Sequence, residues 1–272
     1  MLYVQEDENR AIIVLPDLVH EGYKQERDEN GNRYLSTEKA ILAVESLAKV
    51  HATSYALQMK KKIDMEKSHP SIAEAGAFWT NSDMTSRLIL MKEVFCDFLK
   101  ESTQLDAASI LERFNNTFES EETLKELCKQ RYSLEDDSIK CLQHGDFHFN
   151  NLLFKEVAGQ LKVMIVDWQL TYCGRSAGDI SYLLMSSMDP QLRQVEEGRI
   201  KQKYFESFKA TLTSLGAGCE MKTVLDKDYQ RSLPLGFFFS CGNVMQEDKI
   251  SHQDKVSFAY QLCKEAESRN LI

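Results

Sequence analysis

The chain has 272 residues, enough to bury a sizeable core as one large domain or two unequal lobes. Its 43% hydrophobic and 28% charged residues are ordinary for a globular protein, and its net charge of −9 argues against a nucleic-acid binder, which carries a basic face. The seven cysteines follow neither metal-ligand nor disulfide spacing, no run reaches the roughly 18 apolar residues of a membrane span, and the N-terminus lacks a signal peptide's basic start and apolar stretch; a reducing, cytoplasmic setting is expected.

Residues 1–5 and 11–15 read as short strands, joined through the polar turn Glu6-Asp7-Glu8-Asn9-Arg10. Pro16-Asp17-Leu18 breaks regular structure, and residues 22–33, charged and holding an Asn30-Gly31 turn signal, read as a solvated loop. Ser36 suits the N-cap of a long helix over about 37–62, whose apolar stripe runs Ala40, Val44, Leu47, His51 with Ile41 and Ala48 beside it. His51 on that stripe reads as a buried, hydrogen-bonded core histidine rather than a ligand. A loop holding Pro70, Gly76 and Trp79 is expected next. Met84, Leu88, Met91, Phe95 and Phe98 mark a second helix, Leu111, Phe114 and Phe118 a third, and Leu124, Leu127 and Cys128 carry the helical signal towards Gln130. Such methionine and aromatic stripes are core far more often than cofactor boxes.

Further on, Leu161, Val163 and Ile165 alternate with Lys162 and Met164 as in a strand. Asp179 can cap a short apolar helix over 180–188, Pro190 starts a helix to about Leu215, and weaker helical segments cover 229–239 and 253–267. Strands few and early, then helices with one β insertion, make the class α+β and helix-dominated. Nothing in the pattern sets an oligomeric state.

The chemistry concentrates between Cys141 and Gln169. His144-Gly145-Asp146-Phe147-His148-Phe149-Asn150-Asn151 places a carboxylate, Asp146, five residues before an amide, Asn151, and a second carboxylate, Asp167, ends the following apolar strand 21 positions beyond the first (167 − 146). That spacing resembles the kinase catalytic loop, where an acid meets the acceptor hydroxyl and an Asn and an Asp hold Mg²⁺. Phosphoryl transfer asks the protein mainly to orient the acceptor and offset charge on the moving group, so one acid and two oxygen ligands form a sufficient core.

Each piece alone has a plain structural reading. An Asp in a glycine-containing turn is commonly an Asx-turn or cap, and Asn150-Asn151 could bond locally in a loop. The conjunction of the five-residue spacing, the apolar Leu152-Leu153-Phe154, the strand ending in Asp167 and the helix at Asp179 favours the phosphotransferase loop. A metal hydrolase built on His144-x-Asp146-x-His148 would need ligands from other segments, and His20, His51, His69 and His252 form no second ligand-spaced cluster.

The run from His144 to Phe154 followed by Ile165-Val166-Asp167-Trp168-Gln169 resembles the ecdysteroid-kinase-like (CHK-kinase-like) family, grouped with choline kinases and aminoglycoside phosphotransferases. Ser176-Ala177-Gly178-Asp179-Ile180-Ser181-Tyr182-Leu183, Leu47-Ala48-Lys49-Val50-His51-Ala52-Thr53-Ser54 and the linker Leu15-Pro16-Asp17-Leu18 are further points of similarity. The resemblance implies a protein-kinase-like fold, with residues 1–18 a remnant of the ATP-binding lobe and its hinge, and residues 19–272 the helical lobe. It implies ATP and Mg²⁺ as cofactors and a small-molecule hydroxyl as acceptor, with sterol-like, choline-like and amino-sugar alcohols as candidates. Asp146 would be the catalytic base or hydroxyl-orienting acid, Asn151 and Asp167 the metal ligands, backbone groups of Pro16, Asp17 and Leu18 would meet the adenine edge, and His148 would either contact phosphate or acceptor or serve as a positioning residue. Asp179 would lie buried under the loop, accepting its backbone N–H groups, and His144 would fix the loop. The acceptor pocket would be lined by helical side chains such as those around Trp79 and Phe237 to Phe239, which are equally good core residues. Three departures stand out: Pro16 replaces the linker Glu and has no N–H to donate; Trp168-Gln169 follows the metal-binding Asp where protein kinases have Phe-Gly; and nothing before Leu15 supplies a Gly-rich loop, its phosphate-pairing Lys or the helix Glu. The expectation is an impaired kinase in this short form, or a catalytically inactive binding module.

Overall fold

The computed structural model describes residues 3–6, 11–14, 16–25, 34–78, 81–130, 138–217, 222–245 and 251–272. The expected N-terminal hairpin forms: β1 (Tyr3–Glu6) and β2 (Ala11–Val14) pair antiparallel, Tyr3 opposite Val14. The Asn30-Gly31 turn signal falls outside the described residues. Before it, Lys24 and Phe154 exchange backbone bonds, Lys24 N–H to Phe154 C=O at 3.0 Å and Phe154 N–H to Lys24 C=O at 2.9 Å.

The first long helix, α1 (Thr37–Lys61), begins where the sequence indicates, Ser36 Oγ accepting from Lys39 N–H, and ends at Lys62 in the left-handed region. Its stripe from Ala40 to Ala52 is buried, His51 completely. The loop expected around Pro70, Gly76 and Trp79 is instead two short helices, α2 (Met65–Ser68) and α3 (Pro70–Phe78). Asp64 caps α2, accepting from the N–H groups of Glu66 and Lys67. Pro70 stands at the first position of α3, where a missing N–H costs nothing, so it starts a helix rather than breaking one. Trp79 lies outside the described residues.

Next come α4 (Ser82–Lys100), capped by Asn81, α5 (Ala107–Thr117), and α6 (Glu121–Lys129), capped by Ser120. Phe95, Phe114, Phe118, Phe237 and Phe238 meet with ring centroids 4.9 to 6.2 Å apart, the aromatic heart of the core. Phe237 and Phe238 are therefore core, not pocket lining.

Two small antiparallel sheets frame the central loop. β3 (Lys140–Gln143) pairs with β6 (Tyr172–Arg175), and β4 (Leu152–Val157) with β5 (Gln160–Ile165), Leu152 opposite Ile165. The β4–β5 turn uses positive φ at Ala158 and Gly159, the geometry that suits a two-residue hairpin. The helix α7 (Gly178–Ser187) follows, but Asp179 does not cap it: the cap position is Ala177, without a side-chain bond, and Asp179 lies in the first turn with its carboxylate turned elsewhere.

Asp189 caps α8 (Pro190–Ser214), and the body closes with α9 (Lys222–Met245) and α10 (His252–Ser268). Gly236 lets α9 ride against α7, since a Cβ there would lie 2.9 Å from the Ser181 backbone. Arg193 of α8 is fully buried; it donates to the C-terminal carbonyls of α7 at Leu184 and Met185 and pairs with Glu265 of α10. The six described cysteines are buried and form no disulfide. Among the described residues no helix is long and apolar enough to cross a membrane. The architecture is thus α+β and mostly helical, with small antiparallel sheets, as the sequence indicates.

Candidate active site

The loop between β3 and β4 is shaped by backbone geometry first. Gly145 has φ +88°, a conformation L side chains rarely adopt, and its Cα passes against the Leu170 carbonyl. Phe147 and Phe149 are buried and pull the loop onto the core, Phe149 N–H donating to Ser187 Oγ at 2.9 Å. A short 3₁₀ turn, Phe149–Asn151, then delivers the chain into β4.

Asp179 lies beneath this loop, fully buried, accepting from His144 N–H at 2.6 Å and Gly145 N–H at 3.0 Å, one on each carboxylate oxygen. A carboxylate accepting backbone N–H groups makes charge-assisted bonds stronger than neutral ones. His144 acts as a strut. Its Nδ1 accepts from Asp146 N–H at 3.2 Å, so Nε2 carries the hydrogen and donates to the Val166 carbonyl at 2.8 Å. Its ring also packs on Trp168, centroids 4.6 Å apart. Both residues thus do the structural work the resemblance implied for them.

Asn151 is 7% exposed, and its amide nitrogen donates to Asp146 twice, to the backbone carbonyl at 2.8 Å and to Oδ2 at 3.1 Å. With the nitrogen committed, the amide oxygen is left as an acceptor. His148 Nε2 lies 3.5 Å from the same Asp146 Oδ2. Burial pushes the Asp146 carboxyl up, but the His148 and Asn151 contacts outweigh it and hold the group below the ordinary carboxylate range. Asp146 therefore stands as a carboxylate, one oxygen gripped from two sides.

Asp167 follows β5 in the left-handed region, φ 64°, with its side chain exposed and Oδ2 accepting from Gln169 Nε2 at 3.3 Å. Val166, the residue before it, donates its N–H to the Asn151 carbonyl at 3.0 Å. Asp146, His148 and Asn151 are thus in direct contact, and Asp167 is tied to them through one backbone bond. Pro16, Asp17 and Leu18 sit on a turn with local bonds: Asp17 accepts from Glu21 and His20 N–H, and Leu18 C=O from Tyr23 N–H. None of these bonds reaches the loop acids, although Gln25 Nε2 of the same segment donates to the Asn150 carbonyl at 2.6 Å.

On the outer side of the loop the His148 ring faces Tyr182, centroids 5.7 Å apart, and Tyr182 faces Phe239 at 5.9 Å. Of the three phenylalanines expected to line an acceptor pocket, Phe239 alone is half-buried rather than core. Gln143 is a contributor the sequence reading missed: fully buried, it accepts from Asp179 N–H at 3.3 Å and donates to Cys141 Sγ at 3.0 Å. A glutamine ending a strand carries no signal of that kind.

Asn151 and Asp167 each carry an oxygen donor of the kind that a hard cation such as Mg²⁺ takes. Among the described residues no group of three or more His, Cys, Asp or Glu side chains forms a metal cage. Two protein oxygens suit an ion that keeps waters and shares phosphate oxygens, as Mg²⁺ does in phosphotransferases.

The family profile described as the ecdysteroid kinase-like family matches residues 1–217. No curated protein matches the chain. Among solved structures it is similar to a choline kinase from Cryptosporidium parvum Iowa II, at 14% identity and a TM-score of 0.42, over 87% of this chain and 68% of that one.

Proposed function

The chain belongs to the ecdysteroid kinase-like family, and we propose that it is an ATP- and Mg²⁺-dependent kinase that phosphorylates a hydroxyl group on a small molecule. In this reading residues 1–18 form the linker side of a nucleotide lobe and residues 19–272 the helical lobe. Pro16, Asp17 and Leu18 line the adenine edge, and Asn151 and Asp167 hold the metal. Bound there, Mg²⁺ would supply positive charge against the nucleotide phosphates.

The residues of the loop divide the remaining work. Asp146 would receive the acceptor hydroxyl through the carboxylate oxygen that Asn151 leaves uncommitted, orient it and take its proton as the hydroxyl oxygen bonds to the γ-phosphorus and the bond from that phosphorus to the departing ADP oxygen breaks. Asn151 and His148 fix the rotation of that carboxylate, and Asp179 and His144 fix the backbone that carries it. His148 also faces the side from which phosphate or acceptor would approach. The observation that carries the reading is the pair of hydrogen bonds that the Asn151 amide nitrogen donates to Asp146, which fastens the acid while leaving the amide oxygen as an acceptor. Sterol-like, choline-like and amino-sugar alcohols are the acceptors to try.

Residues 1–14 contain neither a glycine nor a lysine, so a phosphate lid and its Lys are not among them. We therefore expect residues 1–272 alone to transfer phosphoryl slowly, because the charge complementarity and water exclusion of such a lid are missing. A second reading, for residues 1–272 taken by themselves, is a nucleotide-dead interaction module. A thermal-shift titration with Mg-ATP separates the two. At roughly hundredfold excess over Kd, mass action stabilises a binder by about 2.7 kcal/mol, several degrees in Tm. The kinase reading expects that shift, and its loss in Asp167→Ala; no shift in either form would establish the dead module.

A further inference from the structure

We infer that His51 is a positioning residue of the central loop, acting through Asp179. The helices α1, α7 and α8 meet at this point. His51 of α1 places Nε2 3.3 Å from Asp179 Oδ2 and Nδ1 2.9 Å from the Tyr204 hydroxyl of α8. The Tyr204 hydroxyl also lies 3.0 Å from the Ser176 carbonyl, and the His51 and Tyr204 rings meet edge to face, centroids 5.9 Å apart. His51, Asp179 and Tyr204 are all 0% exposed.

A carboxylate only accepts, so the His51 nitrogen facing Asp179 carries its hydrogen towards it. Asp179 then holds three donors: the N–H groups of His144 and Gly145, which belong to the loop, and His51, which does not. The third, anchored on α1 and pinned by Tyr204, gives the carboxylate an orientation independent of the segment it carries. The chain of bonds also closes on itself, for Ser176 N–H donates to the Ile139 carbonyl, one residue before the strand that ends at the loop. Water cannot stand in for His51 here, because the site is sealed.

The loop order is read without any substrate; only its catalytic consequence rests on the kinase reading. Hydrogen exchange followed by mass spectrometry on the full 272-residue chain tests it, with His51→Leu, His51→Gln and Tyr204→Phe. In His51→Leu, peptides covering residues 141–151 are expected to exchange about tenfold faster, with those of α4 and α10 unchanged. His51→Gln, whose amide can offer a donor towards Asp179, should restore most of the protection. Tyr204→Phe should accelerate the same peptides to an intermediate degree. Unchanged loop peptides in His51→Leu, equal acceleration across loop and helices, or a glutamine variant no better than leucine would each overturn the proposal. Should His51→Leu fail to fold, Tyr204→Phe decides by the same contrast. Where turnover is measurable, the variants should lower kcat with KM for Mg-ATP held. Loss of loop order without that effect would count against the kinase reading and leave the positioning role standing.

Discussion

The backbone of Gly145 runs so close to the Leu170 carbonyl that a Cβ would overlap the oxygen and stand 2.9 Å from the carbon. The chain there has φ +88°, so any side chain meets strain and a clash with unyielding backbone together. Gly145→Ala should destabilise the protein by at least ~2 kcal/mol, the strain of about 1–3 kcal/mol being compounded by the overlap. Urea unfolding read by circular dichroism checks this, and an unchanged midpoint would show that the turn relaxes freely.

Asp146→Asn removes the proton acceptor while keeping the side chain's shape and one acceptor oxygen for Asn151. Under the proposed function, turnover with any accepted alcohol should fall by ~10²–10⁴. Stability should shift by less than about 1.5 kcal/mol, the net worth of one hydrogen bond. Steady-state kinetics beside an unfolding curve makes the comparison; a large stability loss with little kinetic change would recast Asp146 as a structural residue.

Arg193 and Glu265 form a buried ion pair, 0% and 2% exposed, and Arg193 also serves the carbonyl end of α7. Glu265→Gln leaves the Arg193 charge in the core without its carboxylate and should cost ~3–5 kcal/mol, whereas Arg193→Met leaves Glu265 still paired with Arg269 and should cost less. The double variant should lose less than the sum of the two single losses. A double-mutant cycle in chemical denaturant gives that coupling directly, and strict additivity would contradict the pairing.

On the surface, Tyr260 donates to Asp106 at 2.6 Å and Lys264 at 3.1 Å, fastening α10 to the start of α5. The Tyr260 bond and then Lys264 hold the Asp106 carboxyl below its ordinary range. With the folded-state value lowered, the unfolded chain takes up a proton first as pH falls. The stabilisation is therefore present at neutral pH and is lost as pH drops through the folded value, below the usual carboxylate range. Between about pH 6 and about pH 3, Asp106→Asn should lose less stability than the parent chain. The difference should shrink at ~1 M salt, because the pair is exposed. Parallel acid limbs for the two proteins would remove the contact from the account.

How far the sequence foretold this arrangement depended on the range of the interaction. Ser36 and the stripe from Ala40 to His51 are local signals, and α1 follows them to within a residue at its C-terminal end. The five-residue spacing marked Asp146 and Asn151 as members of one loop, but the bond between their side chains comes from how that loop folds. Pro70 misled because proline breaks a helix from inside but opens one at its first position. Asp179 was legible as a polar residue at a helix start, but local propensity says cap, whereas the amides of His144 and Gly145, more than thirty residues earlier, claim its carboxylate. The Arg193–Glu265 pair spans 72 positions and has no periodic signature, so only the packed helices disclose it.

The sealed thiols give the protein a built-in reporter. Burial drives the thiols of Cys96, Cys141, Cys173, Cys241 and Cys263 towards their unreactive protonated form. An alkylating reagent must therefore wait for the helices to part. Cys141 and Cys173 sit in the sheet leading to the loop, whereas Cys96, Cys241 and Cys263 sit in α4, α9 and α10. The order in which these sulfurs become labelled would clock the opening of the two regions separately.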